Sequence, residues 1–164
     1  MRKVIISLVL IILAVSLSGC LDTQVAQIDR LSEIISEHIQ SGDTHFNNAA
    51  TNTNQYRYYE AQKQCNDANT QYNLAKTSTQ EALIYSRNIQ DEIYITYMEL
   101  TLQELDAKIN ATTELKMAIP LFRGNDTTSA NEHVDLANQY MRSSQEFKIQ
   151  KQDIVKQNPN KFKS

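Results

Sequence analysis

Apolar positions recur at helical spacing along most of the chain and predict long amphipathic helices. Over about residues 22–40 they lie three and four apart, which places them on one helix face. A weaker stripe of small and aromatic residues runs from about residue 44 into the seventies, and the most apolar segment covers residues 79–119. A last amphipathic segment follows from residue 129. The first stripe consists of Val25, Ile28, Leu31, Ile35 and Ile39.

Helix-breaking and helix-starting residues set the predicted boundaries. Ser41-Gly42-Asp43 predicts the end of the first helix and the start of the second. Residues 78–81 have the spacing of a capping box and predict a third helix, with one continuous rod over residues 44–119 as the alternative. Pro120 predicts the end of that segment, and a second capping box at residues 129–132 predicts the last helix. The expected fold class is all-α: three or four long helices in an up-and-down bundle or an elongated coiled-coil-like hairpin.

The first twenty residues have the layout of an export signal. Met1-Arg2-Lys3 is a short basic start, and an apolar run from Val4 to Leu17 follows it. A helix of that length spans about 21 Å, which is short of a bilayer core of about 30 Å. The run then ends in small residues rather than in a basic cluster, as a cleavable signal does.

Leu17-Ser18-Gly19-Cys20 resembles the lipobox of prokaryotic membrane lipoproteins. The resemblance implies cleavage before Cys20, a diacylglycerol on the Cys20 sulfur, and a location on the extracytoplasmic face of a prokaryotic membrane. It makes residues 1–19 a signal peptide and residues 20–157 an anchored helical domain. Because Pro159 blocks continuation of the last helix, we expect residues 158–164 to form a tail that frays. With Cys20 alkylated, Cys65 has no intrachain partner, so we expect a buried apolar residue, with intermolecular pairing as the alternative.

Composition and motifs argue against several function classes. The chain has 164 residues and a net charge of −3, which disfavours a globally basic nucleic-acid binder. Its three histidines lie outside the spacings of di-iron bundles and zincins, and no nucleophile motif or glycine-rich phosphate loop is present. We therefore expect no catalytic residues, no metal and no cofactor.

Two kinds of candidate site remain in the mature domain. Tyr56, Arg57, Tyr58 and Tyr59 form an unusual aromatic cluster, and at least one of these tyrosines should be exposed beside the cation. Asn110 and Asn125 fit the N-glycosylation triplet, but at the frequency that chance alone gives.

The expected function is that of a lipid-anchored cell-surface helical protein with a non-catalytic binding, scaffold or accessory role. Its expected partners are the membrane, through Cys20, and a protein partner or a second copy that meets its helix faces. The alternative is an extracytoplasmic four-helix domain that senses a small molecule or ion, with a pocket near Tyr94, Tyr97 and Arg87.

Overall fold

A computed structural model describes the backbone of residues 2–162 and the side chains of residues 23–162. Over this range the chain forms no strand, and successive helices run antiparallel because only three residues join each pair. This confirms the predicted all-α up-and-down bundle. The predicted signal segment and lipobox (Leu17, Ser18, Gly19, Cys20) lie outside the described side chains. The helices are α1 (Arg2–Asn54), α2 (Tyr58–Asn88), α3 (Glu92–Arg123) and α4 (Thr127–Gln157).

Three turns of one design separate the helices. Each has one non-glycine residue in the left-handed region: Tyr56 (φ 59°), Gln90 (φ 55°) or Asn125 (φ 61°). The next backbone N–H in each turn then donates to the carbonyl five residues earlier, at 2.9–3.2 Å. This is the hydrogen bonding of a Schellman motif, which satisfies carbonyls at the end of a helix. The Asp91 and Asp126 side chains cap the helices that follow.

These turns correct the predicted boundaries. Gly42 and residues 78–81 lie inside continuous helices, so neither separates two helices. Pro120 lies in the last turn of α3, which ends three residues later, and α4 begins after Asp126 rather than at Ser129. The real breaks at residues 55–57 and 89–91 contain no glycine or proline; backbone hydrogen bonds close both turns, and the Asp91 side chain caps the helix after the second.

The core follows a heptad rhythm. Buried positions of α2 lie alternately four and three residues apart, and a buried alanine recurs every seven residues. The small side chains let neighbouring helices approach closely. Buried hydroxyls on these faces are satisfied locally, because Thr79, Ser86 and Thr112 each donate to the carbonyl four residues earlier. The repeating alanines of α2 are Ala61, Ala68, Ala75 and Ala82.

The bundle is open on one side. Helix α1 packs on α2, α2 on α3 and α3 on α4, whereas α1 meets α3 only marginally. Over the described residues, the backbones of α1 and α4 do not approach each other closely. Helix α3 therefore forms the floor of a gap between α1 and α4.

The C-terminal segment packs against the start of α3. The Phe162 ring contacts the rings of Tyr94 and Tyr97, with centroids 5.5 and 5.0 Å away. The Tyr94 hydroxyl donates to the Lys161 carbonyl at 2.8 Å, and the Lys161 ammonium pairs with Asp91. Burial raises the pKa of Asp91, but hydrogen bonds from Lys161 and from two backbone N–H groups outweigh burial and hold it below its usual value. Residues 158–162 are therefore fastened where fraying was expected.

Cys65 is a buried member of the core, as the sequence predicted. It lies with Ala49, Ala61 and Leu115 in one hydrophobic cluster. Burial raises the pKa of its thiol to about 12. The thiol is therefore protonated and shielded in the folded protein, which disfavours intermolecular pairing.

Among the residues that the structure describes, no helix is both long enough and apolar enough to cross a bilayer.

Replacing Gly42 with alanine should destabilise the bundle. A Cβ at this position would lie 2.4–3.0 Å from three ring carbons of Tyr72, which is fully buried. The overpacking cost of about 1–3 kcal/mol should exceed the gain of up to about 1 kcal/mol in helix propensity. We expect urea denaturation to show a net loss of about 1 kcal/mol in the free energy of unfolding.

Gly124→Ala is the matched control, because its Cβ would meet only ordinary contacts at 3.4 and 3.5 Å. A gain in stability for Gly42→Ala would contradict the close approach of Tyr72 to α1.

Candidate functional site

A layer of polar side chains crosses the middle of the bundle and joins all four helices. Asp43 of α1 accepts hydrogen bonds from the Tyr72 hydroxyl of α2 at 2.7 Å and from the Lys108 ammonium of α3 at 2.6 Å. Glu104, one turn before Lys108, pairs with Lys151 of α4 at 2.7 Å. Lys108 also lies 3.7 Å from Glu104. We call these five residues the polar layer.

The polar layer is buried except at Asp43, whose side chain is 33% exposed, and its charges balance. Glu104 is 2% exposed and Lys108 is 5% exposed, and two lysines face two carboxylates. A buried charge without a partner is costly, so these four groups hold one another in place. Because each helix contributes at least one member, sliding a helix would separate a pair.

Glu104 is closely paired with Lys151. Its buried Oε2 atom lies 2.7 Å from the Lys151 ammonium. The same ammonium lies 5.3 Å from the centroid of the Tyr97 ring. Burial, and next the negative charge of Glu104, raise the pKa of Tyr97. Glu104 and Lys151 therefore join α3 to α4 beside the Tyr97 ring.

A cleft of about 720 Å³ occupies the gap between α1 and α4. The polar layer borders it through Asp43, Glu104 and Lys151. Its volume lies within the range of about 300–1,000 Å³ that is typical of small-molecule sites. Besides these three residues, its lining consists of Ser32, Ile35, Ser36, Ile39, Gln40, Tyr97, Met98, Thr101, Lys148, Gln152, Val155 and Lys156.

The two sides of the cleft differ in charge. The α4 side presents the exposed Lys148 and Lys156 in addition to Lys151, whereas the α1 side is mostly neutral apart from Asp43. Lys156 has an exposed partner, Asp153, at 3.3 Å on its own helix. Because the polar layer is neutral by itself and Lys156 is paired with Asp153, Lys148 gives the cleft its surplus positive charge.

The predicted aromatic cluster does not reach the cleft. Tyr56 and Arg57 lie in the turn between α1 and α2, and Tyr58 and Tyr59 begin α2, rather than all four lying within one helix. Tyr56 is 78% exposed and Tyr59 is 79% exposed, as the sequence led us to expect for at least one tyrosine. Tyr58 is half-buried and meets the Tyr56 ring edge-on at 6.3 Å. The cluster therefore marks one end of the bundle.

The pocket predicted near Tyr94, Tyr97 and Arg87 is found only in part. Tyr97 lines the cleft. Tyr94 is buried under Phe162, and Arg87 pairs with Glu99 at 3.1 Å on the surface of the bundle. The sequence analysis did not identify Glu104, Lys108 and Lys151. The signal that could have found them is that each charged residue occupies a helix face whose other positions are small or apolar.

The remaining candidate positions lie apart from the cleft. Asn110 is exposed on α3, and Asn125 is the exposed left-handed residue of the last turn. Among the described residues, no group of three His, Cys, Asp or Glu side chains could hold a metal ion.

No protein-family model, curated protein or solved structure matches this chain. Function is therefore argued from the chemistry of the cleft and its surroundings.

Removing the Lys108 ammonium should cost far more stability than removing a surface lysine. Lys108→Met leaves Asp43 and buried Glu104 without their shared partner, and we expect a loss of about 3 kcal/mol. Lys76→Met is the matched control, because its pair with Asp106 lies at the surface and should contribute under about 1 kcal/mol. Urea denaturation of both variants checks this, and equal losses would contradict the role of the polar layer.

Proposed function

We propose that this protein is a lipid-tethered, non-catalytic binding domain and that the cleft between α1 and α4 is its binding surface. The observation that carries the proposal is the cleft itself. It combines small-molecule volume, an apolar floor and a few polar groups at fixed positions. Such a site can hold and orient a ligand without supplying a nucleophile.

The rigidity of the cleft floor supports a binding role. Met98 and Thr101 of α3 line the cleft and are buried in the core, and Glu104 beside them belongs to the polar layer. A floor that is already ordered loses little conformational entropy when a ligand arrives. The same cleft also supports the alternative function, the sensing of a small molecule.

The orientation of the bundle is compatible with a tether at Cys20. The described side chains of α1 begin at Thr23, three residues after Cys20, and the helix continues to Asn54. That stretch rises about 47 Å. The exposed Tyr56 and Tyr59 would then face away from the membrane, where a protein partner could meet them.

The tether predicts a simple fractionation result. Two acyl chains hold a protein on a membrane durably, whereas a chain without the Cys20 sulfur cannot receive them. We expect wild-type protein to sediment with membranes and Cys20→Ala to shift to the soluble fraction, measured by detergent-free ultracentrifugation. Cys65→Ala serves as the control and should sediment like wild type. Recovery of both wild type and Cys20→Ala in the soluble fraction would contradict the tether.

Ligand binding in the cleft predicts a selective thermal shift. A ligand that binds only the folded state raises its melting temperature. Full-chain protein in isolated membranes would be heated with and without the low-molecular-mass extract of the expressing cells. We expect a rise for wild type and none for Val155→Trp, whose larger side chain obstructs the α4 side of the cleft.

Ile149→Trp is the matched control, because Ile149 lies exposed on the same helix outside the cleft. It should shift as wild type does. A full shift in Val155→Trp would place the binding surface elsewhere, and no shift in any form would contradict a small-ligand role.

A further inference from the structure

We propose that the cleft binds a single-chain amphiphile with an anionic head group. The alkyl tail would lie against the half-buried Ile39, Tyr97 and Val155, and the head group would lie at Lys148 and Lys156. This inference rests on the proposed binding function of the cleft and adds the chemical class of its ligand.

The charge of the cleft selects the head group. The whole chain has a net charge of −3, yet three lysines line the cleft against two carboxylates. Both carboxylates are neutralised within the polar layer, Asp43 by Lys108 and Glu104 by Lys108 and Lys151. Lys148 forms no ion pair with another described side chain. An anion is therefore attracted to the α4 side, and a cation is repelled there.

The apolar lining selects the tail. Met98 is buried in the hydrophobic cluster under the cleft, and Ile39 and Tyr97 pack against that cluster. Simple phosphate or a small metabolite would leave the half-buried Ile39, Tyr97 and Val155 uncovered, whereas an alkyl chain would remove them from water. The Lys148 and Lys156 stems can rest on the same surface while their ammonium groups reach the head group.

The dimensions favour a small amphiphile over a partner helix. On α1 the lining runs from Ser32 to Asp43, which corresponds to about 17 Å along the helix axis. An α-helix of that length has about three turns, at or below the length that is marginally stable in isolation. An extended alkyl chain needs no such ordering of a backbone.

Photolabelling of the full-chain protein in its own membranes tests the inference. The probe is decanoate that carries a diazirine and an alkyne on its chain, and labelled peptides are identified by mass spectrometry. We expect labelling of the peptides that contain Tyr97 and Val155, and competition by unlabelled decanoate. Because each buried methylene tightens binding about fourfold, hexanoate should compete on the order of a hundredfold less well.

Lysine variants assign the head group. Lys148→Gln combined with Lys156→Gln should lower cleft labelling about fivefold, as expected for two partly exposed charge contacts. Lys63→Gln combined with Lys116→Gln is the matched control, since both lysines are exposed outside the cleft. Equal labelling of the two double variants would overturn the assignment of the head group.

Probes with other head groups separate this inference from the proposed function. The same tail is offered with a trimethylammonium head and with a neutral hydroxyl head. Stronger cleft labelling by either would overturn the anionic head group while leaving the cleft as a binding surface. Labelling confined to peptides outside the cleft by all three probes would overturn the amphiphile. If wild type and Val155→Trp then also responded alike to the cell extract, the proposed function would fail as well.

Discussion

The pairing of Glu104 with two lysines is the interaction on which the rest of this structure depends. Glu104 is almost fully buried, and a carboxylate in that position is tolerated only with cationic partners. Those partners come from α3 itself and from α4, and Asp43 and Tyr72 extend the connection to α1 and α2. One buried charge thereby sets the register of a bundle whose other buried positions are mostly alanines and larger apolar residues.

The shape of the bundle follows from this arrangement. Alanines at every seventh position draw α1 and α2 together, and α4 contributes mostly small buried residues, Ala130, Ala137 and Ser144. Among the described residues, α1 and α4 are not joined by direct packing of this kind. They are linked across the gap by the ion pairs of Asp43, Lys108, Glu104 and Lys151. The polar layer thus fixes how far apart the two helices stand, and the cleft is the space that remains. The surplus positive charge of the cleft comes from Lys148, which is not part of the polar layer.

The sequence predicted the fold class well and the helix boundaries poorly, for identifiable physical reasons. Three-and-four spacing survives in every helix, so the all-α assignment was secure. Gly42 resembles a helix break in the sequence, but it lies inside α1. The absence of a side chain there leaves room for the Tyr72 ring. The turns at Tyr56 and Gln90 contain no glycine or proline. They are closed by backbone hydrogen bonds, which do not require particular residue types and so cannot be predicted from the sequence.

The candidate site was harder still to predict from the sequence. Glu104 and Lys108 have the spacing of an ordinary surface ion pair on a helix, and Lys151 lies in a segment rich in lysine and glutamine. Only the packing of α3 between α2 and α4 reveals that these charges are buried. The tyrosine cluster, by contrast, was conspicuous in sequence and lies at the end of the bundle, away from the cleft.

The most direct test of the central claim is the distance between α1 and α4 in solution. Spin labels at Glu37→Cys and Gln150→Cys, both exposed positions, would report it by double electron–electron resonance in a Cys20→Ala background, with Cys65 shielded in the core. We predict one narrow distance distribution for the otherwise wild-type protein. Adding Glu104→Gln and Lys151→Met, which removes the link from α3 to α4, should broaden or shift it, whereas Lys76→Met should not. An unchanged distribution without that link would contradict the claim that the polar layer sets the bundle's register and its cleft.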